Sequence, residues 1–144
     1  MYNFLIKSLF ILFSTIFIFT NLSFADDFSL EFEWGDIKKC TWTGSGKKAQ
    51  NPIFKLSNVP EGTISLNFRM TDKSYQNSDH GGGRVEYKGN DIREPGQFKY
   101  WSPCPPRNKQ HTYEWRVVAK DKDNKALGIT KAKREYPEEG QYPD

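Results

Sequence analysis

The sequence predicts an all-β fold, a single β-sandwich, on three observations. Apolar and polar residues alternate with a period of two in several short segments, as in strands with one buried face. Turn-forming residues separate these segments at short intervals, and helical periodicity is almost absent between them. About seven short strands spaced in this way are typical of a sandwich.

The first strands are predicted from the N-terminal half of the chain. Residues 28–34 alternate phenylalanine, leucine and tryptophan with serine and glutamate. A second strand is predicted over 37–43, before a polar loop at 43–48, and a short third strand over 53–56. The clearest strand comes next, because the even-numbered residues of 64–70 are all apolar and would share one buried face.

The C-terminal half is predicted to continue the same pattern. After a histidine and three glycines, strand character resumes at 84–88, and two further strands are predicted over 97–101 and 112–119. Residues 126–136 are compatible with a strand or with one irregular helix, and the pattern leaves both open.

Residues 1–25 are predicted to be a secretory signal peptide. One lysine, Lys7, precedes an apolar run over 8–19, and small residues stand at the expected positions up to Ala25. A single-pass anchor is the alternative, but the run is short for a membrane span. We therefore expect cleavage near Ala25, a periplasmic or secreted product without an integral membrane anchor, and one domain over 26–144.

The distribution of charge argues against nucleic acid as a partner. The chain has 21 lysines and arginines against 18 aspartates and glutamates, a formal net charge of +3, with the two signs interspersed. Binding to nucleic acid, or electrostatic anchoring to a membrane, needs clustered lysine and arginine. Neither is expected from this sequence.

Cys40 and Cys104 are the two cysteines of the chain. An oxidising compartment lets such a pair persist as a disulfide, which is the prediction we make. Two free buried thiols are the alternative.

Residues 100–113 have the most informative local sequence, Tyr-Trp-Ser-Pro-Cys-Pro-Pro-Arg-Asn-Lys-Gln-His-Thr-Tyr. Each proline fixes its φ and removes a hydrogen-bond donor, so that three prolines within four residues predict a rigid extended loop. His111 and Tyr113 follow on one face of the next strand, since they are two residues apart. Such a loop can hold a pocket open beside His111.

These motifs resemble the phosphatidylethanolamine-binding proteins, the family that includes the Raf kinase inhibitor protein and many small bacterial homologues. The similarity spans about residues 40–121. Ser-Pro-Cys-Pro-Pro at 102–106, with His-Thr-Tyr at 111–113, is similar to the family's Gly-Pro-Cys-Pro-Pro and His-Arg-Tyr motif. Asn-Pro-Ile-Phe at 51–54 and Val-Pro-Glu-Gly-Thr at 59–63 are similar to its Ser-Pro-x-Leu segment and its Val-Pro-Glu-Gly-Thr turn.

The resemblance implies a β-sandwich with a small anion pocket for phosphate, phosphorylethanolamine or acetate-like groups, here without most of the family's C-terminal helical part. Asp72 would correspond to the start of the family's Asp-Pro-Asp motif, although Lys73 replaces its proline. His80 is followed by glycines where the family has bulky apolar residues, and a β-bulge would absorb one extra residue there. The residues implied to line the pocket are Asp72, His80, Pro103, Cys104, Pro105, His111 and Tyr113.

The chemistry of these residues fits an anion site. Imidazole and tyrosine hydroxyl groups can donate to phosphate oxygens, and a glycine-rich turn at 81–83 can add backbone N–H groups. The alternative for the glycines is that they relieve crowding in a bulged edge strand. Asp72 can hold an imidazole in its charged or correctly oriented form or meet an ethanolamine ammonium, and capping of a turn is its alternative role.

The leading functional hypothesis is a small non-catalytic binding protein that recognises a phosphate-bearing small molecule or lipid headgroup. No catalytic residue is expected, because Ser102 has no nucleophile-elbow sequence and Cys104 is expected to be oxidised. No metal or cofactor is expected, because the sequence has no spacing signature such as His-Glu-x-x-His. A protein-interaction or inhibitor module is the main alternative, favoured if aromatics around Tyr100 and Trp101 are exposed. A metal-dependent hydrolase that uses the aspartate and the two histidines is the weaker one. The oligomeric state is left open.

Overall fold

Nine β-strands and no helix make up the described part of the chain. The computed structural model describes residues 27–37, 39–41 and 48–138, so that the predicted signal peptide lies outside the described residues. Within those ranges no helix is long and apolar enough to cross a membrane. The predicted all-β class is confirmed. The strands are β1 (Ser29–Glu33), β2 (Ala49–Gln50), β3 (Ile53–Ser57), β4 (Ser65–Asp72), β5 (Ser78–Glu86), β6 (Ile92–Arg93), β7 (Lys99–Tyr100), β8 (His111–Lys120) and β9 (Ala126–Tyr136).

The strands form three antiparallel sheets. Their orders are β1-β3-β6, β2-β7 and β5-β4-β8-β9. The two larger sheets pack face to face: the ring of Phe54 in β3 lies 4.7 Å from that of Phe68 in β4 and 5.0 Å from that of Trp115 in β8. This packing is the predicted sandwich.

The core lies between these sheets and is rich in aromatic rings. Alternate residues of β1, β3, β4 and β8 point into it, which is why the period-two pattern predicted these strands. Burial of each large side chain contributes about 1.5–3 kcal/mol. The residues buried in this way include Leu30, Phe32, Phe54, Leu56, Leu66, Phe68, Met70, Tyr113, Trp115 and Val117.

The strand predicted over 37–43 is wrong for the residues that are described there. Residues 37 and 39–41 form no strand, and Cys40 has a left-handed φ of 54°. Its N–H donates to the Pro103 carbonyl at 2.9 Å, so this segment is tied to the proline loop instead of to a strand neighbour. Residues 42–47, with most of the predicted polar loop, lie outside the described part.

Three further comparisons concern individual strands. Ile64 lies just before β4 and is 43% exposed, so it does not belong to the buried face. β2 and β6 were not predicted, because two residues each are too few to show a period. β9 pairs with β8 along its length, which settles the open choice at 126–136 in favour of a strand.

Candidate functional site

Asp72 and His111 meet at the end of the β4–β8 pair. His111 Nδ1 lies 2.7 Å from Asp72 Oδ2, and both side chains are largely buried, at 14% and 6% exposed. The other carboxylate oxygen, Oδ1, accepts the backbone N–H groups of Ser74 and Tyr75 at 2.8 and 3.1 Å. Asp72 therefore both caps the turn after β4 and orients the His111 ring, which combines two of the roles considered from the sequence.

His80 is the extra residue of a β-bulge in β5. The register of β4 against β5 shifts at this point, because Met70 is opposite Gly81 while Thr71 is opposite Asp79. The Nδ1 of His80 is 2.8 Å from the Trp101 carbonyl oxygen, and the Trp101 N–H donates back to the His80 carbonyl at 2.8 Å. Since a carbonyl oxygen can only accept, Nδ1 of His80 carries the hydrogen. The register shift is the β-bulge that the extra residue predicted.

The bulge is held on its outer side by Asp79. Its carboxylate accepts the Gly81 N–H at 2.9 Å and forms an ion pair with Arg69. Burial acts to raise the pKa of Asp79, but the hydrogen bonds from Gly81 and Arg69 outweigh it and hold the pKa below its usual value. The ionised carboxylate thus fixes the backbone on which His80 sits.

The glycines after His80 have a packing role. A Cβ at Gly82 would lie 1.9 Å from the carbonyl oxygen of Phe68 in β4, and one at Gly83 would lie 2.3 Å from the Phe98 side chain. The structure therefore favours the crowding explanation for these glycines.

The first part of the proline loop, residues 101–104, is fixed to two other parts of the chain. Trp101 is bound to His80, and next to it Ser102, which is fully buried, exchanges hydrogen bonds of 3.1 Å with Thr41. The predicted disulfide between Cys40 and Cys104 is present, with 4.4 Å between the Cα atoms. The loop is consequently a rigid wall, anchored on one side to β5 and on the other to the segment after β1.

These elements enclose a cleft of about 180 Å³. Four of the predicted pocket residues line it, and three do not: Tyr113 is fully buried behind it, Pro103 is also buried, and Pro105 is outside the lining. Tyr75, in the β4–β5 connection, and Ser78, the first residue of β5, line it as well. The motifs gave no signal for them, since their segment has only a polar composition. The full lining is Asp72, Tyr75, Ser78, His80, Cys104, Pro106 and His111.

Tyr113 packs behind the cleft, against both of its histidines. Its ring centroid lies 5.4 Å from that of His80 and 6.3 Å from that of His111, so that both imidazoles pack against one phenol. Its hydroxyl is near Asp72 and the Cys104 N–H, but neither contact reaches hydrogen-bond geometry. Burial, and then the Asp72 charge, raise the pKa of Tyr113 well above its usual value, so the phenol stays neutral.

The geometry bears on two alternatives from the sequence, a metal-dependent hydrolase and a protein-interaction module. Among the described residues, no three His, Cys, Asp or Glu side chains are grouped so that they could hold a metal ion. At the place where exposed aromatics would have favoured a protein-interaction role, Tyr100 is fully buried and only Trp101 is partly exposed.

Comparison with known proteins finds a likeness to solved structures. No family model matches the chain, and no curated protein matches it. A solved structure from Chlamydia trachomatis, named as a "Putative PhosphatidylEthanolamine-Binding Protein (PEBP) Homolog", is similar with 17% identity and a TM-score of 0.43, over 76% of this chain and 97% of that one. At that identity the likeness concerns the fold alone.

Proposed function

We propose that this chain is a non-catalytic binding protein whose cleft takes a phosphate-bearing small molecule or lipid headgroup, such as phosphorylethanolamine. The observation that carries the proposal is the buried Asp72–His111 pair at the wall of the cleft, with His80 beside it. Two imidazoles in one small cleft, each fixed through Nδ1, suit recognition of an oxyanion better than a general structural role.

The contacts define what each residue contributes. Because Nδ1 of His111 is engaged by Asp72, its Nε2 is the atom that can meet a ligand, and in the protonated ring it donates to an oxygen. The Nε2 of His80 is likewise the nitrogen opposite the Trp101 contact. Asp72 accepts from His111 and from two backbone amides, so its part is to orient His111 rather than to bind an ammonium group.

The absence of an enzymatic role is part of the proposal. Ser102 is fully buried and hydrogen-bonded to Thr41, and the sulfur of Cys104 is in the disulfide, so neither candidate nucleophile of the loop is available.

Export is also part of the proposal, with a signal peptide over 1–25 and one domain over 26–144. The disulfide supports it, because such bonds persist in the periplasm and outside the cell.

The substitution His111→Asn tests the binding role. The asparagine amide can still donate to Asp72 in place of Nδ1, while nothing replaces Nε2, so the fold is kept and the ligand contact is lost. We expect affinity for phosphorylethanolamine and for inorganic phosphate to fall by about tenfold or more, the loss for one charged hydrogen bond.

Nuclear magnetic resonance titration of the wild type and the variant measures this change. Lys99→Gln, an exposed position of β7 away from the cleft, is the control and should bind as the wild type does. Unchanged histidine resonances of the wild type at millimolar ligand, or equal affinity of His111→Asn and wild type, would refute the proposed function.

A further inference from the structure

Cations that are scattered along the sequence come together on the outward face of the four-stranded sheet. Arg69 in β4 is directly opposite Arg116 in β8, which is directly opposite Lys131 in β9. Neighbouring strands are about 4.8 Å apart, so three like charges stand in one row across the sheet. Like charges directly opposite each other destabilise a sheet, and folding alone gives no reason for this row.

The row is only partly neutralised. Arg69 pairs with Asp79, and Lys131 lies 3.6 Å from Glu114, both at its ends. Arg116, in the centre, has no carboxylate partner in the ranges that the structure describes, and the same is true of Arg84 in β5. Two exposed guanidinium groups are thus available to an anion.

A groove of about 530 Å³ runs between these two arginines. Asn67 lies on it, directly opposite Arg84, and its Oδ1 is buried with no hydrogen-bond partner among the described residues. The glycines of β5 also line the groove and add no side chain, which leaves it open. We call this site the outer groove, lined by Asn67, Arg69, Gly82, Arg84, Arg116 and Lys120.

We propose that the outer groove binds a small molecule that carries an oxyanion, phosphate or carboxylate, next to a hydroxyl group. Arg84 and Arg116 are the oxyanion contacts, because a guanidinium presents paired donors to two oxygens at once. Asn67 Oδ1 accepts the ligand hydroxyl, which satisfies an acceptor that is otherwise buried without a donor. The outer groove and the cleft share no lining residue, so the two sites are separate.

Calorimetric titration with glycerol 3-phosphate, glycerate and propyl phosphate tests this site, in the His111→Asn background, which weakens binding at the cleft. Glycerol 3-phosphate and glycerate carry an oxyanion with a hydroxyl, and propyl phosphate has no hydroxyl. We expect propyl phosphate to bind several-fold more weakly than glycerol 3-phosphate. The tighter of the two hydroxylated ligands identifies the preferred oxyanion.

Arg84→Gln and Arg116→Gln should each weaken binding by about tenfold or more. Arg116→Gln also removes like-charge repulsion, so the melting temperature of this variant should equal or exceed that of the His111→Asn protein. If Arg116 only stabilised the fold, the substitution would lower the melting temperature. Lys99→Gln removes one charge elsewhere and should not change the affinity. Affinities unchanged by both arginine variants, an equal loss in Lys99→Gln, or no binding at millimolar ligand would overturn the proposal.

Discussion

Replacing both Cys40 and Cys104 by serine should lower the free energy of unfolding by about 4 kcal/mol. The disulfide joins residues that are 64 apart in sequence, and closing a loop of that length removes much of the entropy of the unfolded chain. The bond also fastens the proline loop to the segment after β1, where the hydrogen bonds of Thr41 with Ser102 and of the residue 40 N–H with the Pro103 carbonyl would remain.

Urea unfolding of the double variant and of the wild type, each with and without reductant, measures this contribution. Reductant should destabilise the wild type to the level of the variant and leave the variant unchanged. We also expect weaker phosphate binding in the variant, because Cys104 is part of the cleft wall. A loss of less than about 1 kcal/mol would show that the bridge does not hold the loop.

Gly82→Ala should lower the free energy of unfolding by at least about 3 kcal/mol. The new Cβ would overlap a backbone atom that cannot move without breaking the β4–β5 pair. The clash is with the Phe68 carbonyl oxygen at 1.9 Å. Because His80 is two residues away in β5, the change should also displace one side of the cleft.

Gly81→Ala is the matched control for this substitution. A Cβ at Gly81 meets nothing within 4 Å, but its φ of +80° is unfavourable for alanine. We expect a cost of about 1–2 kcal/mol from backbone strain alone. Chemical denaturation of both variants gives the comparison, and equal losses would contradict the packing role of Gly82.

Local patterns predicted most of the strands but not the course of the chain at Cys40. The alternation in β1, β3, β4 and β8 is visible in sequence because each strand has one buried face. The segment at Cys40 has a composition as well suited to a strand as theirs. Its conformation is instead set by the distant proline loop, through the disulfide and the hydrogen bond to the Pro103 carbonyl. Such long-range contacts override a local preference.

For the candidate sites too, local patterns predicted some features, while others depend on long-range contacts. The proline spacing and the two histidines pointed to the cleft, but the depth of each side chain depends on packing, which buried Tyr113 behind it. The row of Arg69, Arg116 and Lys131 was not visible in the sequence at all, because only the register of three strands places its members together. Interspersed charges in a sequence can thus form a concentrated surface.

The most direct test of the cleft is a structure determined with phosphorylethanolamine at millimolar concentration. We expect the phosphate within about 3 Å of Nε2 of His111, with His80 as a second contact and Asp72 still bonded to His111. A well-ordered cleft that stays empty, or imidazole Nε2 atoms that do not converge on one ligand, would contradict the proposed function.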